Sequence, residues 1–373
     1  MTIKVITFLG TRPEIIRLTP TIKLLDQFTH HTLVHTGQNF HPQLSEVFFQ
    51  DLSLRNPDIY LNIASSSFAS FLADLLLKSE KLLLEQKPDA ILILGDTNSA
   101  LVSIVAKRLQ IPIYHMEAGN RSFDLNVPEE VNRKLVDVTA DFNLVYTNYA
   151  KQNLISEGFP PRDIFVIGSP LCELLSSSLY LCSDDKVLTS LGLVPNQYFL
   201  LSLHRQETVN DPILLEGVIK SLHRISMSYN YPFVVSLHPR TESRLTQASQ
   251  SILASDNFIV SPPFCFSDYI NLQRLAFCVL SDSGSIAEEA AILNFPAVTI
   301  RRSMERPEAL DTASLVLGGI GYDSISSAIR FASHQHSLNT HCPADYTIKN
   351  TSFRVVNTIL STHHLHRYWH NLV

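Results

Sequence analysis

Short apolar runs alternate with longer segments of helical periodicity along the chain. The first part contains KVITFL, HTLVHT, DAILILG, PIYHMEA, FNLVYT and DIFVIG. After about residue 170 the pattern starts again with YFLLSLH, PFVVSLH, NFIVSP, FCVLSD, PAVTIR and SLVLGG. Nearly continuous apolar strands separated by helices are typical of parallel sheets covered on both faces. The pattern therefore predicts an α/β protein with two doubly wound, Rossmann-like domains.

The restart of this pattern also indicates where the domains divide. We place the first domain at 1–169 and the second at 170–352, with a linker near GSPLCELL. A last helical segment, at about 353–373, is expected to cross back onto the first domain. A chain of 373 residues is long enough for two cores of ordinary size.

Glycines and polar residues follow nearly every predicted strand at the same end. In chain order they are Gly10 and Arg12, Gly37 and Gln38, Gly95 and Asp96, His115 and Glu117, then His204, His238, Asp282 and Arg301. Open α/β sheets bind ligands at the carboxyl ends of their strands. The sequence thus predicts a ligand cleft between two facing domains.

The second half contains a candidate phosphate site. VLSDSGSIAEEAA leads from a strand through small residues directly into a helix. Backbone N–H groups of Ser283, Gly284 and Ser285 would favour a diphosphate there, although the same residues also suit a simple helix cap. Three basic residues after other strands of this half complete the anion site: His204, Arg205 and Arg306. By contrast, FLGTRPEIIR after the first strand lacks the GxGxxG spacing of a dinucleotide site.

Acidic residues gather instead in the first half, where they would oppose an anion and need another role. They are Asp96, Glu117, Glu129 and Glu130. Carboxylates in one cleft raise each other's pKa values, which suits removal of a proton from carbon and protonation of a leaving group. Taken singly, Asp96 could instead cap a helix, and Glu130 could interact with a helix dipole.

Composition excludes several classes of function. Charged residues make up 17% of the chain, apolar residues 45%, and the net charge is -6 without a block of lysine and arginine. Neither a nucleic-acid nor a membrane partner is therefore expected. The chain enters a strand at once with IKVITFLG, which favours a cytoplasmic address over secretion. Five cysteines without CxxC spacing predict neither a disulfide framework nor a metal site.

An ordered series of motifs resembles the non-hydrolysing UDP-N-acetylglucosamine 2-epimerases along nearly the whole chain. The motifs are GTRPEIIRLTP, HTGQNF, LGDTNSA, HMEAGNRSFD with PEEVNR, HRQE, SDSGSIAEE and ERPEA. The resemblance implies a glycosyltransferase-B-like fold, a homodimer, no metal or NAD cofactor, and a place in polysaccharide synthesis. It also implies inversion at C2 of a UDP-2-acetamido sugar, by elimination of UDP to a 2-acetamidoglycal and return of UDP.

The same resemblance assigns roles to individual residues. The expected catalytic residues are Asp96, Glu117, Glu129 and His204. The expected substrate-binding residues are Arg12, Arg17, Gln38, Arg133, Arg205, Tyr269, Ser283, Gly284, Ser285, Glu289 and Arg306. Among these, Tyr269 is expected near uracil and Glu289 on the ribose hydroxyls. His41 and Asp74 replace residues that hold a second, activating substrate in some members, so substrate activation is not expected.

Several alternatives stay open. The family default is UDP-N-acetylglucosamine to UDP-N-acetylmannosamine, whereas TRPEIIRL, HMEAGNRSFD and NFPAVTIR resemble the branch that forms UDP-N-acetyl-L-fucosamine from a UDP-6-deoxy-L-talose derivative. A hydrolysing relative would release UDP and free N-acetylmannosamine. A glycosyltransferase would need an acceptor cleft but not three clustered acids. A non-catalytic UDP-sugar sensor could lose the acids and His204 altogether.

Overall fold

The apolar runs of the first half form one parallel sheet. The computed structural model describes residues 2–38, 49–63, 67–178, 186–336, 342–370 and 372. The strands of this half are β1 (Lys4–Leu9), β2 (His30–His35), β3 (Ile59–Tyr60), β4 (Ala90–Leu94), β5 (Ile113–Met116), β6 (Phe142–Val145) and β7 (Ile164–Val166). Their order is β3-β2-β1-β4-β5-β6-β7, with every pairing parallel. Among the strands found in the described residues of this half, only β3, a two-residue edge strand, lacks an apolar run that predicts it.

Helices connect these strands and cover the sheet. They are α1 (Arg12–Phe28), α2 (Phe68–Gln86), α3 (Ser103–Arg108), α4 (Pro128–Thr139), α5 (Asn148–Ser156) and α6 (Pro170–Ser178), and a 3-10 turn spans Asn98–Val102. In α2, Ser67 caps the start by accepting from Ser70 N, and Lys87 ends the helix with a left-handed φ of 48°. The apolar residues of α2 recur at helical spacing, so Leu75 and Leu83 are buried against the sheet.

The second half repeats this architecture. Its strands are β8 (Phe199–Ser202), β9 (Phe233–Ser236), β10 (Phe258–Ser261), β11 (Cys278–Ser281), β12 (Ala297–Thr299) and β13 (Val316–Leu317), in the order β10-β9-β8-β11-β12-β13 and all parallel. Its helices are α7 (Lys186–Ser190), α8 (Gln206–Val209), α9 (Pro212–Tyr229), α10 (Pro239–Glu242), α11 (Gln247–Leu253), α12 (Phe266–Leu275), α13 (Ile286–Leu293), α14 (Glu308–Asp311) and α15 (Tyr322–His336). Phe199 and Phe233 stack at 4.6 Å within its core.

Two compact units result. Unit 1 comprises Met1–Ser176 with Ile348–Val373, and unit 2 comprises Ser177–Thr347. These divisions differ by a few residues from the predicted boundaries at 169 and 353. The terminal helices α16 (Thr351–Thr362) and α17 (His366–Trp369) belong to unit 1, where α16 packs on α1. Tyr114 on β5 is hydrogen-bonded to Thr362 at 2.7 Å, which ties α16 to the sheet.

Each sheet has one point where the order of strands reverses, between β1 and β4 in unit 1 and between β8 and β11 in unit 2. Ligands of open α/β sheets bind outside the carboxyl ends of the strands at such a point. Every helix in the described part of the chain is too short or too polar to cross a lipid bilayer. Four cysteines, Cys172, Cys265, Cys278 and Cys342, are free thiols. Cys182 lies outside the described residues.

Candidate active site

Asp96 lies directly after β4 and is held by an arginine of α4. Arg133 Nη2 and Nε donate to Asp96 Oδ2 at 2.6 and 3.1 Å. Asn132 donates to the Asp96 carbonyl oxygen at 3.0 Å. Asp96 does not cap the following 3-10 turn, because Thr97 occupies the N-cap position. The structure therefore brings Asp96 and Arg133 together, and two guanidinium N–H groups hold one carboxylate oxygen.

Glu117 follows β5 and has the left-handed φ of 67°, which is uncommon for residues other than glycine. Arg17 Nη1 donates to Glu117 Oε2 at 3.0 Å, and the two side chains are 5% and 18% exposed. A Cβ atom at Gly95 would lie 3.9 Å from Glu117 Oε2, so this carboxylate sits beside the Gly95–Asp96 loop. Strained backbone that presents a half-buried carboxylate is typical of functional sites.

A buried ion network supports the loop that carries Glu117. Asp137 lies 2.7 Å from Arg121 Nη1 and 2.9 Å from His115 Nδ1, and all three side chains are fully buried. Asp137 also accepts from Gly119 N at 3.3 Å, and Arg121 pairs with Glu157 at 2.5 Å. These contacts fix the backbone on both sides of Glu117.

The neighbouring acids Glu129 and Glu130 differ sharply in environment. Glu130 is fully buried and accepts from Ser122 N at 3.0 Å, Ser122 Oγ at 2.9 Å and Arg133 Nη1 at 2.8 Å. Glu130 therefore holds the loop before α4 in place. This role comes in addition to the interaction with the helix dipole that its position in the first turn predicts. Glu129 is half-buried in the first turn of α4 and has no hydrogen-bond or ion-pair partner among the described residues. Glu129 is therefore the acid of α4 that is available to a ligand.

The binding residues that the sequence predicts in unit 1 differ in their exposure and in their contacts. Arg12 is exposed at the start of α1. Gln38 Oε1 accepts from both the N–H and the hydroxyl of Ser99 at 3.0 Å, so this side chain joins the end of β2 to the β4 loop. Asp74 is half-buried on α2, whereas His41 lies outside the described residues.

The same strand ends approach each other closely at Gly10. A Cβ atom there would lie 2.2 Å from Thr36 Oγ1 and 2.3 Å from Ser99 Oγ, which leaves no room for a side chain. Glu14, which the sequence analysis missed, accepts four hydrogen bonds nearby. Burial raises the pKa of Glu14 to about 7, although these hydrogen bonds lower it. The signal that could have found it is Thr-x-x-Glu at a helix start.

In unit 2, Asp282 organises the end of β8 from the end of β11. Its carboxylate accepts from His204 N at 2.9 and 3.0 Å and from Arg205 N at 2.9 Å. His204 Nδ1 lies 3.3 Å from Asp282 Oδ1, and the imidazole is 33% exposed. Complete burial raises the pKa of Asp282, although the two backbone hydrogen bonds lower it. His204 and Arg205 are thereby fixed at the strand-order reversal.

The small residues before α13 lie beside buried arginines. Arg306 is 3% exposed, donates through Nε to the Gly284 carbonyl at 3.1 Å, and lies 3.1 Å from Glu288. A Cβ atom at Gly284 would lie 3.1 Å from Arg205 Nη2, so a larger residue there would displace the end of the Arg205 side chain by a few tenths of an ångström. Ser283, Gly284 and Arg306 line one small pocket, with Arg301 and Glu305. Ser285 is the N-cap residue of α13. This pocket places positive charge at a helix N-terminus, which suits an anion.

The two residues expected at the nucleoside lie on adjacent helices of unit 2. Tyr269 is half-buried on α12 and packs in the apolar cluster below α13. Glu289 on α13 accepts from Gln273 of α12 at 2.6 Å. Gln273 was missed by the sequence analysis because nothing in its neighbourhood distinguishes it from a helix-surface residue. The contact shows that α12 orients the Glu289 carboxylate.

Known proteins are similar to this chain over most of its length. A family model described as UDP-N-acetylglucosamine 2-epimerase matches residues 24–360. A structure of UDP-N-acetylglucosamine 2-epimerase from Rickettsia bellii is 38% identical, has a TM-score of 0.91, and covers 98% of this chain and 99% of that one. The Methanocaldococcus jannaschii UDP-GlcNAc 2-epimerase in complex with UDP-GlcNAc and UDP is 32% identical, with a TM-score of 0.90 and coverage of 96% and 100%.

Two further similarities bear on substrate and fold. UDP-2,3-diacetamido-2,3-dideoxy-D-glucuronate 2-epimerase from Pseudomonas aeruginosa is 32% identical over 88% of this chain and 91% of its own length. UGT2 from Phytolacca americana, in a structure with UDP-2fluoro-glucose and pterostilbene, is only 13% identical, but it shares the fold with a TM-score of 0.58, over 97% of this chain and 100% of that one. The predicted α/β, glycosyltransferase-B-like fold class is confirmed.

Proposed function

Because this chain belongs to the UDP-N-acetylglucosamine 2-epimerase family, we propose that it inverts C2 of a UDP-2-acetamido sugar by eliminating and re-adding UDP. The chain is an epimerase, an isomerase that acts on a UDP-sugar. The observation that carries the proposed route is the pair of arginine-bound carboxylates, Asp96 with Arg133 and Glu117 with Arg17, at the strand ends of unit 1. Two positioned carboxyl groups supply the base and the acid that such a route requires.

Unit 2 is proposed to bind and stabilise UDP. Backbone N–H groups at the start of α13 and the charges of Arg205 and Arg306 suit the diphosphate. When the bond between C1 and the diphosphate oxygen breaks, its electron pair stays with UDP and increases the negative charge there. The Arg306 guanidinium, already fixed by the Gly284 carbonyl, would stabilise that charge without rearrangement, and Asp282 holds the backbone from which the Arg205 side chain extends.

Unit 1 is proposed to move the protons. A carboxylate removes the proton from C2, and the C2–H electron pair becomes the C1–C2 double bond of the 2-acetamidoglycal. In the return step an acid delivers a proton to the opposite face of C2, and a diphosphate oxygen attacks C1. Asp96, Glu117 and Glu129 are the candidate acids and bases, whereas Glu130 is committed to Ser122 and Arg133.

We propose a first-choice substrate for this reaction and keep two alternatives. UDP-N-acetylglucosamine to UDP-N-acetylmannosamine is our first choice, because the relatives from R. bellii and M. jannaschii carry that substrate in their names. The L-fucosamine-forming reaction remains the alternative from the motifs, and the P. aeruginosa relative adds a diacetamido sugar acid. A hydrolysing activity would share the elimination step.

Proton NMR in D2O tests the proposed function directly. With UDP-N-acetylglucosamine we expect a second UDP-sugar anomeric signal and deuterium at C2 of both sugars. Free UDP with N-acetylmannosamine would instead establish hydrolysis. Turnover of only the 6-deoxy-L-talose or diacetamido substrate would reassign the sugar, and tight UDP-sugar binding without any turnover would support the sensor.

His204→Ala tests the role of unit 2. We expect the Kd for UDP to rise about tenfold to a hundredfold, because a hydrogen bond to a charged phosphate is worth about 1.5–3 kcal/mol. Titration calorimetry with UDP measures this, and His334→Ala, an exposed histidine of α15, is the matched control. Unchanged UDP affinity in His204→Ala would refute the assignment.

We also propose that the chain forms a homodimer through α4. Val131, Leu135 and Val138 lie along one side of this helix and are 49%, 46% and 68% exposed. An apolar stripe of this kind on a helix surface is typical of an interface with another protein. Leu135→Glu is expected to give a monomer in light scattering after gel filtration, whereas Ile213→Glu on α9 should not. A monomeric wild-type protein would overturn the proposal.

A further inference from the structure

Glu14 accepts hydrogen bonds from two different strand ends. Its Oε2 accepts from Gly10 N at 2.8 Å and from the N–H and hydroxyl of Thr11 at 2.7 and 2.9 Å, all after β1. Its Oε1 accepts from the Thr97 hydroxyl at 2.7 Å, after β4. The residue is 1% exposed, so water does not compete for these contacts. Glu14 thus joins the two strands between which the strand order of unit 1 reverses.

This arrangement is more than a helix cap. A glutamate at the third position of a helix completes a capping box by accepting from the N-cap N–H, which here is Thr11 N, and one oxygen suffices for that. Thr97 is itself the N-cap residue of a 3-10 turn, yet its side chain makes no cap hydrogen bond. Both side chains are therefore committed to a contact between strand ends that neither cap requires.

The contact acts on Asp96 through the next residue of the chain. Arg133 orients the Asp96 carboxylate and Asn132 holds its carbonyl oxygen, both from α4. Glu14, from α1, restrains the following residue, Thr97. We propose that Glu14, acting through Thr97, is a positioning residue that holds Asp96 in place for proton transfer. This inference rests on the proposed function, which makes Asp96 one of the reacting groups.

The tie does not depend on the charge of Glu14. If Oε1 is protonated it can donate to Thr97 Oγ1, since a hydroxyl both donates and accepts. Oε2 would keep its three donors in that state. The raised pKa of about 7 agrees with a site that tolerates the neutral acid. Glutamine in the same position would accept three hydrogen bonds through its oxygen and donate one to Thr97, so Glu14→Gln should preserve the contact.

Variants of Thr97 separate positioning from helix capping. Thr97→Val removes the tie to the β4 loop but leaves the contacts of Glu14 with Gly10 and Thr11. We expect kcat to fall about tenfold to a hundredfold, because small misplacement of a catalytic group has effects of this size. KM and the Kd for UDP should stay within about twofold of wild type. Thr97→Ser and Glu14→Gln, which each keep a hydrogen bond between the side chains at positions 14 and 97, should retain nearly normal kcat.

The assay is run with the full-length protein at a temperature where circular dichroism shows every variant to be folded. Thr97→Ala repeats the test without the added methyl group, should Thr97→Val fail to fold. A wild-type kcat in Thr97→Val or Thr97→Ala, or a kcat in Thr97→Ser as low as in Thr97→Val, would overturn the inference. Failure of the proposed function is distinguishable, because wild type itself would then leave every UDP-2-acetamido sugar unchanged.

Discussion

Replacing Glu117 by glutamine is expected to reduce turnover by about a hundredfold to ten-thousandfold, the usual contribution of a general acid or base. The change removes proton transfer but little volume, and the amide oxygen can still accept from Arg17. UDP affinity should be unchanged, because the predicted UDP-binding residues are those of unit 2. Turnover is measured by NMR in D2O and UDP affinity by calorimetry.

The matched control for this variant is Glu85→Gln, since Glu85 is 58% exposed on α2 and pairs only loosely with Lys81 at 3.9 Å. Its turnover should equal that of wild type. Near-normal turnover in Glu117→Gln would remove Glu117 from the list of reacting groups. A loss of UDP binding equal to the loss of turnover would assign it to binding instead.

Replacing Arg121 by methionine is expected to lower the free energy of unfolding of unit 1 by about 3–5 kcal/mol. The reason is that the Asp137 carboxylate is fully buried and loses its guanidinium partner at 2.7 Å. Turnover should fall as well, because Asp137 and Arg121 hold the loop that carries Glu117. Removing both charges, with Arg121→Met and Asp137→Asn together, should recover part of the loss.

The single tryptophan of the chain allows the unfolding of unit 1 to be followed separately from that of unit 2. Trp369 packs against Phe142 on β6, with ring centroids 6.1 Å apart, so its fluorescence reports on unit 1. Urea unfolding followed by this signal is compared with Arg108→Met, a change of an exposed arginine on α3. A decrease of less than about 1 kcal/mol in the free energy of unfolding of Arg121→Met, the size of a surface ion pair, would contradict the predicted contribution of the buried ion network to stability.

The strands and strand ends were predictable from sequence because a strand that is buried on both faces of a sheet is a nearly continuous apolar run. Every apolar run that we identified forms a strand. The edge strand β3 was missed because its two residues are too few to show a hydrophobic periodicity. The rule that polar residues follow strands located Asp96, Glu117 and His204 without any resemblance to known proteins. Their roles remain predictions for the experiments above.

What the sequence could not show was the environment of each acid. Glu129 and Glu130 are neighbours at a helix start, yet a rotation of about 100° per residue leaves Glu129 half-buried and buries Glu130 completely. The pairing of Arg121 with Asp137 and the contact of Glu14 with Thr97 depend on how separate elements pack. Such contacts leave no periodic signal, so they are visible only in three dimensions.

The return of α16 to unit 1 has a consequence for synthesis on the ribosome. Unit 2 is one uninterrupted stretch of chain, so it can fold as soon as it has emerged. Unit 1 is assembled from two stretches, and its α1 surface stays uncovered until α16 is made, after all of unit 2. Contacts this distant in sequence form slowly. Unit 1, which carries Asp96, Glu117 and Glu129, is therefore expected to complete its folding after unit 2. Until then the uncovered surface of α1 is the part of unit 1 that we expect chaperones and proteases to reach.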